Sequence, residues 1–238
     1  MEPPMTSSRT MTRSARRPVK RRALAPAPRP DLLAGEQLPS PPRQRRSLAN
    51  RERLKAAALR LFSRNGYART SIDDIAAEAD LAVGGFYLHF RTKRQLLVAL
   101  MDDLLHGLSA IDLDLPASAE PRRALRVLLA RAFSTDLRFL GAYRAWQEAI
   151  LTDAELARKH EDIHAWTTMR VVGTFRALQR WPGARPGVDV DGLARVMDRF
   201  FWALLAEALR ASRIELDQWL DAATHIVFHA LFVDPRRE

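Results

Sequence analysis

The chain has 238 residues, 47% of them hydrophobic, and no cysteine; this is ordinary for a globular protein and excludes a disulfide framework and a thiolate metal site. Its longest apolar run, residues 200–206, is far too short to span a bilayer. The net charge of +10 lies at the front, because residues 1–46 hold 11 Lys and Arg against 3 Asp and Glu, whereas residues 107–238 hold 18 of each. A basic end on a neutral body predicts either a polyanion that binds at that end or a solubilising tail.

Residues 1–44 form a compositionally distinct segment, with 9 of the 14 prolines and no sustained apolar period. Such a segment buries too little surface to offset its chain entropy, so we expect a disordered basic extension. Arg16 and Arg17 are followed by prolines and further charges rather than by an apolar stretch, which argues against an export signal. We therefore expect a cytoplasmic protein that does not bind a membrane.

From Ser47 onward, apolar residues recur at helical spacing. They predict a first helix over residues 47–64, which ends at Asn65-Gly66, a typical C-terminal cap. A short second helix over residues 71–78 would start at a capping box. The sequence offers two pairs for that box, Ser71 with Asp74 or Thr70 with Asp73.

Two adjacent glycines, Gly84 and Gly85, stand where a third short helix would begin, although glycine weakens a helix interior. Two short helices joined by a tight turn after a packing helix form a helix-turn-helix, whose second helix enters the major groove of DNA. Glycine is useful there because a backbone without a Cβ can approach a ligand closely. Phe86 and Phe90, four residues apart, share one helix face and are assigned to the core.

Residues 54–100 carry several short motifs in a fixed order: LF, NGY, TS and IA, then FY-x-HF and K-x-x-L. In this order they resemble the N-terminal domain of the tetracycline-repressor (TetR) family. The resemblance implies an all-α fold. Residues 45–92 would form a three-helix helix-turn-helix domain that binds double-stranded DNA, and residues 93–234 a helical domain that binds an effector and dimerises.

The resemblance also implies which side chains meet DNA. In the family, phosphate is typically contacted from the positions of Tyr87, His89 and Lys93. The bases are faced from the positions of Ala82, Val83, Gly85 and Leu88. The full set of predicted DNA-binding residues is Thr70, Ser71, Ala82, Val83, Gly84, Gly85, Tyr87, Leu88, His89, Lys93, Arg45 and Arg46.

This chain departs from the family pattern on the base-facing surface. Family members often carry Ser or Thr followed by Lys where this chain has Ala82 and Val83, and a proline is common at the position of Arg91. Since few donors are available, we expect Ala82, Val83 and Leu88 to touch thymine methyl groups. The run Arg43–Arg46, just before the first helix, would add discrimination as an arm in the minor groove.

Beyond this unit the pattern stays helical. A long amphipathic fourth helix covers residues 92–109, and five more are predicted over residues 120–135, 137–151, 153–180, 190–211 and 215–232. The last two carry apolar stripes wide enough to face two neighbours, which suits either a monomeric core of large helices or a four-helix interface between two subunits. The twofold half-sites of DNA and the family resemblance favour the homodimer formed through these two helices. Aromatic side chains on the middle helices are more often core than pocket, but a regulator of this kind needs a cavity, and aromatics with a few polar groups would line one for a lipophilic or aromatic effector. Its candidate lining residues are Tyr143, Trp146, Gln147, His164, Trp166 and Met169.

Two other classes of protein compete with this one. The sequence HEDIH, residues 160–164, matches H-E-x-x-H, which is typical of a zinc hydrolase and would also suit a metal-sensing regulator. Its charged neighbours indicate a solvated helix face, and no third ligand is evident, because His225 and His229 form a separate pair on an apolar helix. A nucleic-acid binder driven by the basic tail would show a steep salt dependence and little sequence preference.

The patterns together favour the DNA-binding class. We predict a ligand-responsive transcriptional regulator, a repressor rather than an activator, that acts as a homodimer on a palindromic operator. An effector would favour a conformer in which the fourth helix swings the DNA-binding unit out of register. No catalytic residue, cofactor or metal site is predicted.

Overall fold

The computed structural model describes residues 28–40, 44–111 and 120–233. Within these ranges the fold is all-α, as the sequence predicts, and no strand is formed beyond one isolated bridge between Ala184 and Phe232. No helix of this part of the chain combines the length and hydropathy needed to cross a membrane. The helices are α1 Arg45–Asn65, α2 Ile72–Glu78, α3 Val83–Tyr87, α4 Lys93–Ser109, α5 Pro121–Leu137, α6 Leu140–Ala149, α7 Ala154–Leu178, α8 Val190–Ala208 and α9 Arg213–Leu231.

Local signals define the front unit, α1 to α3. Gly66, at φ 82°, ends α1 in a conformation that favours glycine. Of the two possible capping boxes, Ser71 forms the one at α2: its Oγ accepts from the Asp74 amide at 3.0 Å, and its own amide donates to the Asp74 carboxylate at 2.9 Å. Phe86 and Phe90 are fully buried. Capping and burial thus fix the turn between α2 and α3.

The segment of residues 28–40, here called the N-terminal strap, corrects the expectation that residues 1–44 are disordered. Leu32 is 1% exposed and belongs to the main hydrophobic core. Lys159 of α7 donates from Nζ to the carbonyls of Leu32 at 2.6 Å and Ala34 at 3.1 Å. The Glu36 carboxylate accepts from Arg94 at 2.6 Å. Residues 1–27 and 41–43 lie outside the described ranges.

The hydrophobic core does not divide at the predicted boundary between residues 92 and 93. One cluster joins Phe62 and Phe86 of the front unit to Trp146 of α6 and Trp166 of α7. The helix α6 packs directly on α1 because Gly141 has no side chain: a Cβ there would lie 2.0 Å from the Leu59 carbonyl oxygen. The front unit therefore shares one hydrophobic core with α4 and α6.

Hydrogen bonds also join α6 to the front unit. Glu148 of α6 accepts hydrogen bonds from the backbone amides of Tyr67 at 2.7 Å and Ala68 at 3.2 Å, in the loop between α1 and α2. Arg144 donates to the Ser63 carbonyl at 2.6 Å, near the C-terminal end of α1. These contacts tie α6 to the loop that precedes α2 and to the C-terminal end of α1.

Candidate nucleic-acid interface and ligand cavity

The helix α3 presents an open surface with almost no hydrogen-bond donors. Val83 is 38% exposed, Tyr87 51% and Leu88 71%. Ala82 is also exposed, and a Cβ added at Gly84 would meet nothing within 4 Å. A duplex can therefore come close to this backbone. Apart from the Tyr87 hydroxyl, its exposed side chains are apolar and suit methyl contacts better than bidentate readout.

Three of the residues predicted to bind DNA are engaged inside the domain. His89 is 3% exposed, and burial, followed by the nearby charge of Arg51, lowers its pKa. Thr70 is 1% exposed and donates from Oγ1 to the Gly66 carbonyl at 2.7 Å. Both side chains face the interior, which the sequence did not show because polar residues next to a binding surface are usually exposed.

Lys93 is the third. Its Nζ donates to the carbonyl oxygens of Tyr67 at 2.7 Å and Thr70 at 2.6 Å, and it lies 4.3 Å from the centre of the Tyr67 ring. Burial lowers its pKa. Lys93 therefore joins the first turn of α4 to the loop before α2, and at most one of its three N–H groups is left for a phosphate.

Exposed basic side chains lie on both sides of α3. Arg45 and Arg46 are exposed in the first turn of α1, whereas Arg43 of the predicted arm lies outside the described residues. Ser71 is exposed at the start of α2. Arg91 is also exposed, four residues after the end of α3, and its Nη1 lies 3.5 Å from Gln37 Oε1 of the N-terminal strap; the sequence did not mark it as a contact. Its positive charge and its place in the sequence, soon after Tyr87 and Leu88, were the signal for a phosphate contact.

A cavity of about 170 Å³ lies within the helices behind the front unit, with walls from α4 to α9. Most of its lining is apolar. Of the six predicted lining residues, Tyr143 and Trp166 line it. The lining also includes Phe133, Asp136, Arg170, Asp198 and Trp202.

The remaining predicted lining residues lie elsewhere. Trp146 is fully buried in the core beneath α1, and Met169 is 53% exposed. Gln147 and His164 are half-buried but do not line the cavity. Helical spacing places an aromatic residue on a face, but it does not say whether that face meets a neighbouring helix or an empty volume.

The polar groups of the cavity differ in how they are satisfied. Asp198 accepts from Thr168 Oγ1 at 2.7 Å, and Arg170 donates to the Leu108 carbonyl at 2.8 Å. The Tyr143 hydroxyl donates to the Trp202 carbonyl at 3.3 Å. Asp136 has no hydrogen bond from its carboxylate within the described ranges, and burial raises its pKa to about 7.

Sequence reasoning missed Asp136 although a signal existed. Leu128, Leu129, Ala132, Phe133 and Asp136 follow helical spacing along α5, so the carboxylate belongs to an apolar stripe. A charged residue on such a stripe is uncommon unless it is paired or meets a ligand.

The HEDIH motif forms a histidine pair rather than a metal centre. His160 Nε2 and His164 Nε2 are 3.1 Å apart, and His164 Nδ1 is 3.3 Å from the guanidinium of Arg199. Burial and the neighbouring His164 lower the pKa of His160 to about 4. No third His, Cys, Asp or Glu completes a metal-binding group in the ranges described. The zinc-hydrolase interpretation gains no support from this geometry.

The front of the chain matches known proteins in sequence. Residues 54–100 match the family model described as bacterial regulatory proteins, tetR family. The HTH-type transcriptional regulator TtgR of Pseudomonas putida is 35% identical over 86 residues, which are 35% of this chain and 41% of that protein. The uncharacterized HTH-type transcriptional regulator YerO of Bacillus subtilis is 43% identical over 49 residues, 21% of this chain and 17% of that protein. Each match spans less than half of the relative's own length.

Solved structures share the fold along most of the chain. A transcriptional regulator from Rhodococcus sp. Rha1 is 19% identical with a TM-score of 0.57, over 78% of this chain and 99% of that chain. The SmeT–triclosan complex is 22% identical with a TM-score of 0.56, over 79% and 93%. The fatty acid degradation regulator FadR from Bacillus halodurans is 13% identical with a TM-score of 0.61, over 75% and 94%. At these identities the likeness extends to the arrangement of the helices.

Proposed function

We propose that this chain, whose residues 54–100 match the family model of bacterial regulatory proteins of the tetR family, is a sequence-specific DNA-binding regulator of transcription. The observation that carries the proposal is the exposed, apolar α3 on a rigid three-helix unit. A recognition helix has to be rigid and accessible at once, and burial of Phe86 and Phe90 beneath exposed Tyr87 and Leu88 meets both conditions.

In this proposal, discrimination between bases comes mainly from shape and methyl groups. Ala82, Val83 and Leu88 contact thymine methyls in the major groove. The Tyr87 hydroxyl and the guanidinium of Arg91 contact phosphates, which fix the register of the helix without reading sequence. Arg45 and Arg46 carry positive charge to the entry of α1, where the preceding residues can follow the minor groove.

We infer a homodimer from the last two helices. On α8, Val196 is 66% exposed, and on α9, Ile226 is 46% exposed. Ala203 and Ala206 of α8 and Ala222 of α9 are exposed too, so both helices leave an apolar strip uncovered. A second copy would cover these strips by twofold symmetry and bring two α3 helices to half-sites about 34 Å apart.

The cavity is proposed as the effector site of a repressor. The helix α4 lines it with Met101, Leu104 and Leu105, and the same helix begins at Lys93 beside the front unit. A ligand that fits one position of α4 better than another shifts the front unit between two orientations. The affinity for DNA changes only by the difference in ligand affinity between those orientations.

Selection of bound DNA from random duplexes tests the proposal. We expect the full chain to enrich a twofold symmetric, A·T-containing site, and Leu88→Ser to lose or change the enriched sequence. Arg45 and Arg46 replaced together by alanine should weaken binding to all sequences about equally and reduce its salt dependence. Binding that enriches no motif would contradict sequence-specific recognition, and an enriched site without symmetry would contradict the dimer.

A further inference from the structure

The cavity contains one carboxylate whose charge no described residue balances. Asp136 lines it from α5, and its side chain has no hydrogen bond or ion pair with any of the described residues. Burial alone raises its pKa to about 7. A carboxylate in an apolar environment costs free energy unless a donor or a cation meets it.

The other charged groups of the cavity are already partnered. Asp198, 3% exposed, accepts the Thr168 hydroxyl. Arg170 donates to the Leu108 carbonyl, and its guanidinium lies 5.0 Å from the centre of the Trp166 ring. Among the described residues, Asp136 is therefore the charged group of this cavity whose side chain has neither a hydrogen bond nor a ring contact.

Aromatic rings surround this position. Phe133 precedes Asp136 by three residues on the same helix and lines the cavity with it. Tyr143 lines the same cavity, and burial and then the charge of Asp136 raise the pKa of Tyr143 to about 12. The Tyr143 ring is 5.4 Å from that of Trp202. Aromatic faces attract cations and also pack against hydrocarbon, so a cation with an apolar body matches both features.

The volume limits the size of the ligand. At about 170 Å³ the cavity is comparable with an apolar cavity of about 150 Å³ that admits benzene. One aromatic ring with a short chain fills it.

We propose that the cavity takes a small lipophilic amine in its protonated form, with the ammonium group on Asp136 and the apolar body among Phe133, Tyr143 and Trp202. This rests on the proposed function, in which the same cavity is the effector site. Removal of the amine from water is offset by the ion pair, and the bound cation neutralises the carboxylate that is otherwise unpaired.

Three probes that share a phenylethyl body separate the alternatives: 2-phenylethylamine, the neutral 2-phenylethanol and the anionic 3-phenylpropanoate. Isothermal titration should show the amine binding at least about tenfold more tightly than the alcohol, the range of a hydrogen bond between charged groups. The anion should not bind measurably. Asp136→Asn should remove this preference, whereas Asp191→Asn, at an α8 carboxylate that does not line the cavity, should retain it.

The pH gives a second readout. The titratable groups that line the cavity are Asp136, Tyr143, Arg170 and Asp198. Because the ammonium stays protonated while Asp136 ionises around pH 7, affinity for the amine should rise about tenfold between about pH 6 and about pH 8. In Asp136→Asn this rise should disappear.

Several results would overturn the proposal. These are equal or tighter binding of the alcohol, binding of the anion, no binding of the amine at millimolar concentration, and loss of amine binding in Asp191→Asn alone. The DNA selection is independent of these titrations. A symmetric operator without amine binding refutes the ligand class only, whereas amine binding without an operator refutes the regulator.

Discussion

The absence of one atom, the Cβ of Gly141, determines how closely α6 packs on the front unit. Gly141 lets α6 approach the backbone of α1 so closely that an added Cβ would lie 2.0 Å from the Leu59 oxygen. Gly173, in the middle of α7, has nothing within 4 Å of the same position. Two helical glycines of the same chain thus have opposite roles, one required by packing and one that only weakens its helix.

Substitution by alanine should therefore change stability in opposite directions. Gly141→Ala forces the two helices apart and should lower the free energy of unfolding by about 1–3 kcal/mol. Gly173→Ala should raise it by about 0.5–1 kcal/mol, because alanine is the better helix former. Urea denaturation of both variants measures this, and equal effects at the two positions would refute the packing argument.

The histidine pair predicts a pH dependence of stability. Burial, then His164, lowers the pKa of His160 to about 4, so the unfolded chain binds the proton more tightly than the folded one. The stabilisation associated with neutral His160 is complete above its unfolded pKa of about 6.5 and is lost as the pH falls towards about 4. Asp136 has the opposite sign in that range, since its folded pKa is raised.

A comparison with a variant that lacks the imidazole isolates the contribution of His160 to stability. As the pH falls from about 7 to about 4, the unfolding free energy of the native chain should decrease relative to that of His160→Gln. Chemical denaturation at a series of pH values measures the difference. A difference that does not change with pH would show that His160 titrates normally in the fold.

Among the elements, the N-terminal strap has the least regular structure and yet joins two others. Leu32 enters the core, and Glu36 meets Arg94 of α4. The same guanidinium bonds Asp153 at 2.7 Å and lies 2.9 Å from Glu155, at the start of α7. The strap is thus held to both α4 and α7 by apolar burial and by charge.

Leu32→Ala should lower the free energy of unfolding by about 2–4 kcal/mol, because it leaves a cavity in the core. Ser40→Ala is the matched control, an exposed residue of the same strap, and should change stability by less than about 0.5 kcal/mol. Thermal or urea unfolding distinguishes them. If Leu32→Ala behaved like the control, the strap would not be part of the folded core.

At the scale of the whole molecule, the uncovered strips on α8 and α9 are the surfaces through which the proposed dimer would form, and DNA recognition depends on that dimer. In the proposed dimer, two copies bind a palindromic operator, so loss of the dimer would reduce affinity for DNA although α3 is unchanged. Val196, on α8, is an exposed apolar residue of these strips. Leu151, in the turn before α7, is more exposed, at 83%, and belongs to neither helix.

Val196→Glu should raise the dimer dissociation constant at least about tenfold, because it places a charge in an apolar interface. Leu151→Glu should have no effect on it. Sedimentation equilibrium measures the constant. A dimer unaffected by Val196→Glu and by Ile226→Glu would place the interface elsewhere on the molecule.

The sequence by itself determined the helices and the front unit, because those signals are local. The Ser71 capping box, Gly66 and the spacing of Phe86 and Phe90 act within a few residues, and the later helices begin and end within three residues of the predicted bounds. The tertiary structure alone decided what lies opposite each helix face. Leu32 is in the core, and His89 and Lys93 are turned inward. Asp136 faces an empty volume, because contacts between distant segments depend on how helices pack, which no local pattern records.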